Sequence, residues 1–206
     1  MRRTHVALTP AVYIYIGSTR TTKMTKDDLQ EVINGCLLGN RISQKALYRH
    51  FYSYGMNVCN RYARSEEEAE EMLNDAFLRI FTKIDLYDGQ RSFPAWLHTI
   101  VVRSAINYLK KYQNKPLTVG VELAEQRTTS VSANVLSQMS VDEIIILVRQ
   151  LPPSYRMAFN LAVIEGYSHV EIAAMLGISE GTARSNLMIA RQKLQMMVSQ
   201  LNKISI

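Results

Sequence analysis

The 206-residue chain carries 24 Lys and Arg against 18 Asp and Glu, a formal charge of +6, and is 47% hydrophobic. That apolar content can bury the core of one large domain or two small ones, no run is long enough to span a bilayer, and the basic balance favours a polyanionic partner. The two cysteines, Cys36 and Cys59, have no CxxC neighbour and no nearby histidine pair. A disulfide framework and a zinc site are thereby disfavoured, and buried thiols in a reducing cytoplasm are expected.

Residues 1–23 hold four basic and no acidic residues, and Pro10 interrupts any signal-peptide core around the short Val12–Ile16 alternation. This stretch is expected to be a disordered leader or a misplaced translation start, outside any fold. Thr25 followed three residues later by Asp28 marks a helix start, and Leu29, Val32, Ile33, Cys36 and Leu37 recur at helical steps over 27–38 before Gly39. A second helix is predicted from Ser43 to about Arg64, with Tyr48, Phe51, Tyr52, Tyr54 and Tyr62 read as a core row. Ser65 with Glu68 forms a capping box for a third helix reaching Ile84, and Asp88 with Gly89 is a turn. Ser92 and Pro94 open a fourth helix running through Trp96, Ile100, Ala105, Ile106 and Leu109 to Lys111. Residues 24–116 are thus predicted to form one helical bundle.

Residues 117–139 lack aromatic side chains and helical period and read as a flexible linker. Ser140 and Glu143 start the next helix, which stops at Pro152 and Pro153; another spans about Ser154 to Glu165 and ends at Gly166. A helix-turn-helix follows from Ser168 to Leu194. Ser168 and Glu171 form its capping box, Val170, Ile172, Ala173 and Leu176 give its first helix an apolar side, and Gly177 suits the left-handed exit. Ile178 fills the angle between helices and Ser179 caps the second. Ala183, Leu187, Ala190 and Leu194 then face inward, leaving Thr182, Arg184, Ser185, Asn186 and Met188 outward, as a helix entering a DNA major groove requires. A plain helical hairpin shows the same pattern, so this stretch alone does not decide function. The fold class is all-α: a first small helical domain at 24–116 and a second at 140–206, joined by the linker.

Two further surfaces exceed what folding needs. Glu71, Asn74, Asp75 and Leu78 share one face of the third helix, an acidic stripe with an apolar neighbour suited to a basic helical partner. Arg103, Asn107, Lys110 and Lys111 share one face of the fourth helix, preceded by Tyr87, Phe93 and Trp96. Such a row is either solvated surface or a track for single-stranded DNA with bases stacked on the aromatics.

The motifs AEEMLNDAFLRIF at 69–81, FPAWLHTIVVRSAINYLKK at 93–111, LPPSYRMAFNLAVIEGYSHVEIAAMLGIS at 151–179 and GTARSNLMIARQKL at 181–194 carry a resemblance. Residues 45–111 resemble the region-two domain, and 141–200 the region-four domain, of the extracytoplasmic-function (ECF) branch of bacterial RNA polymerase sigma factors. The resemblance implies that Glu71, Asn74, Asp75 and Leu78 bind the coiled coil of the polymerase β′ clamp. It implies that Phe93, Trp96, Arg103, Asn107, Lys110 and Lys111 read and open the minus-ten element of promoter DNA. Thr182, Arg184, Ser185, Asn186, Met188 and Arg191 would then lie at the minus-thirty-five element, with the rest of that domain on the β flap. No catalysis, cofactor, metal or membrane insertion is implied, the site of action is cytoplasmic, and an anti-sigma factor is the usual further partner.

Two departures from the family pattern stand out. Asn186, Met188 and Ile189 occupy positions where arginine or histidine is common, and Arg103 stands where asparagine is common. An operator-binding helix-turn-helix regulator is the alternative, but its sensing domain has no sequence counterpart in 24–116. A helical enzyme is opposed by the scattered His5, His50, His98 and His169 and by the lack of a phosphate loop.

Overall fold

The computed structural model describes residues 24–112 and 141–204, and every element within them is helical. The leader at 1–23, the linker at 117–139 and the Ser140 cap lie outside the described residues. By packing, the chain divides into two compact units, with the division at Tyr108–Leu109, inside a helix.

In the first unit, α1 spans Lys26–Leu37 and begins as expected: the Thr25 hydroxyl accepts from the Asp28 amide, while the Asp28 carboxylate accepts from the Thr25 amide at 2.9 Å. Gly39, at φ +73°, turns the chain where a Cβ would be strained. Helix α2, Arg41–Asn60, starts two residues before the expected Ser43, because the Asn40 side chain caps it by accepting from the amides of Ile42 and Ser43. Helix α3 spans Glu66–Thr82 and is followed by a 3-10 turn at Ile84–Leu86. Only half of its expected capping box forms. The Ser65 hydroxyl accepts from the Glu68 amide at 3.3 Å, but the Glu68 carboxylate turns to the amide and guanidinium of Arg64. That pairing raises the Arg64 pKa, first through its hydrogen bond to Glu68.

Helix α4 spans Phe93–Tyr112. The core joins Leu47, Phe51, Val58 and Cys59 of α2 to Met72, Leu73, Phe77 and Ile80 of α3 and to Leu97, Val101, Val102 and Ala105 of α4. Both cysteines are buried free thiols, and burial pushes Cys59 up to about 12. Of the expected aromatic core row, Phe51 and Tyr62 are buried, whereas Tyr48, Tyr52 and Tyr54 are half-buried. Their rings pack while their hydroxyls reach Asn74, Glu70 and His98 at 3.3, 3.4 and 2.7 Å. A phenol ordinarily finds such a polar partner at the edge of a core.

In the second unit, α5 spans Val141–Gln150 and α6 spans Pro153–Phe159, with proline at the helix start where no amide partner is needed. After α6 the coil widens over Asn160–Ile164, with the Glu165 amide bonded to the Asn160 carbonyl at 2.9 Å, and Gly166 at φ +77° redirects it. Helix α7 spans His169–Leu176 and α8 spans Glu180–Ile204. Leu147, Val148, Leu151, Tyr155, Phe159, Leu187, Leu194 and Val198 form the core, so α8 serves as both its last wall and its surface helix. Arg156 is wholly buried and donates to the Arg149 carbonyl at 3.0 Å, stitching the end of α5 to α6.

Candidate nucleic-acid and protein interfaces

Helix α3 buries Ala69, Met72, Leu73, Ala76, Phe77 and Ile80, and this three- and four-residue repeat turns Glu71, Asn74, Asp75 and Leu78 to the opposite side. All four are exposed, Leu78 at 65%. The stripe therefore exists as a surface. The sequence reading missed what lies behind it: the Tyr108 hydroxyl donates to Glu71 Oε2, and the Tyr48 hydroxyl donates to Asn74 Oδ1. Burial, with Glu70 adding its charge, holds the Tyr48 phenol above its ordinary pKa and therefore neutral.

On α4, Val101, Val102, Ala105, Ile106 and Leu109 face the core, and Arg103, Asn107, Lys110 and Lys111 are exposed along the other side. The polar row is thus continuous, as its spacing predicts. The aromatic group before it differs from expectation. Phe93 is only 2% exposed, with its ring 5.6 Å from Phe51, 5.1 Å from Tyr87 and 5.4 Å from Trp96. It cannot stack an unpaired base, because the Tyr87 hydroxyl donates to the Arg91 carbonyl at 2.8 Å and closes the loop over it. Trp96 and Tyr87 remain half-exposed, 5.6 Å apart, and carry the accessible ring surface.

In the helix-turn-helix the local chemistry matches the sequence. Both halves of the Ser168–Glu171 capping box form, and hydrogen bonds from the Ser168 amide and then its hydroxyl lower the Glu171 pKa. Gly177 sits at φ 72°, ψ 38°. The Ser179 hydroxyl accepts from the Thr182 amide at 3.0 Å at the start of α8. Ala183, Leu187, Ala190 and Leu194 are buried as expected.

Two residues lie on the opposite side of their helix from the one their sequence predicts. Val170 is 62% exposed, since it lies two residues from Ile172 and so on the far side of α7. Asn186 is 2% exposed: it stands three residues after Ala183 and four before Ala190, inside the buried stripe, so its side chain faces the core and not solvent. Thr182 and Ser185 are half-buried, and their hydroxyls bond Ser179 and the Thr182 carbonyl. The exposed positions among the six expected contacts are Arg184, Met188 and Arg191, one face at four- and three-residue steps. Gly181 extends that face toward the N-terminus of α8 without a side chain.

Among the described residues no group of His, Cys, Asp and Glu could hold a metal, and no helix is long and apolar enough to cross a membrane. Residues 47–115 match the family description "Sigma-70 region 2", and residues 141–194 match "Sigma-70, region 4". The chain is 28% identical over 156 residues to the ECF RNA polymerase sigma-E factor of Escherichia coli K12, covering 70% of this chain and 81% of that one. It is 26% identical to the ECF RNA polymerase sigma factor SigM of Mycobacterium tuberculosis, over 84% and 85% of the two chains. A solved structure of the sigma factor RpoE with the anti-sigma factor NepR from Bartonella quintana is similar at a TM-score of 0.46 and 19% identity, covering 75% of this chain and 96% of that one.

Proposed function

Because this chain belongs to the sigma-70 family, in its ECF branch, and as such binds core RNA polymerase and directs promoter recognition, DNA opening and initiation, we propose which of its surfaces perform each task. The unit built on α1–α4 is region two and docks the basic β′ clamp helices through Glu71, Asn74, Asp75 and Leu78. The observation that carries this assignment is the α3 stripe: three acidic or amide groups and an exposed leucine on a face that the core does not need. Trp96, with Tyr87 beside it, offers the ring surface for an unstacked minus-ten base, and Arg103, Asn107, Lys110 and Lys111 follow the strand. Phe93 supports this surface from beneath.

The unit built on α5–α8 is region four, and α8 presents Arg184, Met188 and Arg191 to the minus-thirty-five major groove. With two arginines on that face, few counterions are released on binding, so the isolated unit binds DNA weakly and depends on polymerase for avidity. The protein acts by binding and performs no bond chemistry; it works in the cytoplasm, where polymerase is. An anti-sigma factor that masks the polymerase-binding surface completes this family reading.

Mixing the purified protein with core RNA polymerase in the absence of DNA tests the assignment. Co-elution is expected, followed by run-off transcription from a cognate promoter. An operator-binding regulator would bind DNA and elute apart from the core enzyme.

A further inference from the structure

Helix α3 presents its acidic stripe on top of a layer of phenols. The Tyr108 hydroxyl on α4 donates to Glu71 Oε2, with Tyr108 only 9% exposed. The Tyr48 hydroxyl on α2 donates to Asn74 Oδ1 at 3.3 Å, with its ring held 4.6 Å from that of Phe77 and 5.6 Å from that of Tyr52. Tyr52 in turn donates to Glu70 Oε1 at 3.4 Å. Two of the four stripe residues are therefore fixed from below by donors rooted in two other helices.

The choice of donor has a physical consequence. A lysine or arginine in the same place would orient Glu71 but cancel its charge. A phenol is neutral over the working pH range and leaves the carboxylate negative toward a basic partner. It engages Oε2 of a residue that is itself exposed. A glutamate held this way has already lost the rotamer freedom that docking would otherwise remove. We propose that Tyr108 and Tyr48 are positioning residues for polymerase binding, holding Glu71 and Asn74 in the orientation that the clamp helices accept. This rests on the assignment of the α3 stripe to the β′ clamp.

The test measures the affinity of full-length protein for core RNA polymerase without DNA, which removes the minus-ten function of α4 from the readout. Tyr108→Phe keeps the ring and deletes the donor, and is expected to weaken binding by roughly two- to tenfold, the range for one side chain that must now be ordered on docking. Tyr48→Phe is expected to do the same, and Tyr54→Phe, whose hydroxyl serves His98, to change nothing. The deciding measurement is the pair: in a Glu71→Ala background, Tyr108→Phe should have no further effect, because its action runs through that carboxylate. A similar loss in both backgrounds overturns the proposal and makes Tyr108 a packing residue. Full affinity of Tyr108→Phe, with Glu71→Ala impaired, also overturns it while leaving the stripe assignment standing. Full affinity of Glu71→Ala itself removes the stripe assignment and this proposal together.

Discussion

The Arg184 guanidinium and the Glu180 carboxylate meet at 2.8 Å across one turn of α8, both on its solvent side. An exposed pair with glutamate four residues ahead of its partner contributes about 0.3–0.5 kcal/mol, little enough to be exchanged for a base edge. It also holds the guanidinium along the helix start, the part of a recognition helix that enters the groove. Arg184→Ala should therefore lower run-off transcription and relax preference at one or two positions of the minus-thirty-five element, by about 1–3 kcal/mol of discrimination. Equal loss across all promoter sequences would demote Arg184 to a phosphate contact.

Asp75 is exposed on α3, between the exposed Asn74 and the buried Ala76. Asp75→Lys places a cation against a basic partner, and like charges across a close interface cost several kcal/mol. Core polymerase binding should fall by at least about two orders of magnitude, with the thermal melt shifted little, since the position buries nothing. An affinity equal to that of the parent would remove Asp75 from the interface.

Helices α2 and α3 touch closely at Gly55, where an added Cβ would lie 2.4 Å from Leu73 Cδ1. Leu73 is wholly buried, so moving its methyl group disturbs packed neighbours. Gly55→Ala should gain about 1 kcal/mol of helix preference and lose more to overpacking, about 1–3 kcal/mol, for a net destabilisation in urea melts. Shortening the obstacle with Leu73→Val should recover part of that loss, so that the double variant is more stable than the sum of the two changes predicts. A stabilised Gly55→Ala protein would show that the two helices stand further apart.

Glu171 carries a pKa lowered from 4.5 by hydrogen bonds from the Ser168 amide and then its hydroxyl. A carboxyl with a depressed folded pKa stabilises above its unfolded value, and the contribution is lost as pH falls through the folded one. Asp28, lowered first by the Thr25 side chain, behaves alike. Between pH 6 and 3.5 the parent should lose more stability in urea melts than Glu171→Gln, which keeps a capping acceptor without a titrating group. Ser168→Ala should cost about 1 kcal/mol at neutral pH through the lost cap. Equal pH dependence of the parent and Glu171→Gln would mean that the capping box contributes nothing through charge.

Much of this molecule was legible along the chain. The caps at Thr25, Ser168 and Ser179, the helix stop at Gly39, the left-handed Gly177, and the buried spacing of Ala183, Leu187, Ala190 and Leu194 are local in the chain, set by one residue or by residues three or four apart. The α3 stripe and the polar row of α4 followed from the same periodicity. Three matters were settled only in three dimensions. Asn186 is polar yet sits in the buried stripe of α8, because the rotational phase of a helix is set by what packs on it and not by the polarity of one residue. Phe93 turned from a candidate base-stacking ring into the floor of an aromatic cluster once Tyr87 folded back over it. The donor that holds Glu71 lies 37 residues away on α4, at a sequence distance where no helical period applies. Local hydrogen bonds encode where helices begin and end. Which polar atom meets which across helices is decided by how their apolar faces pack, and that packing couples residues whose separation in the chain carries no signal.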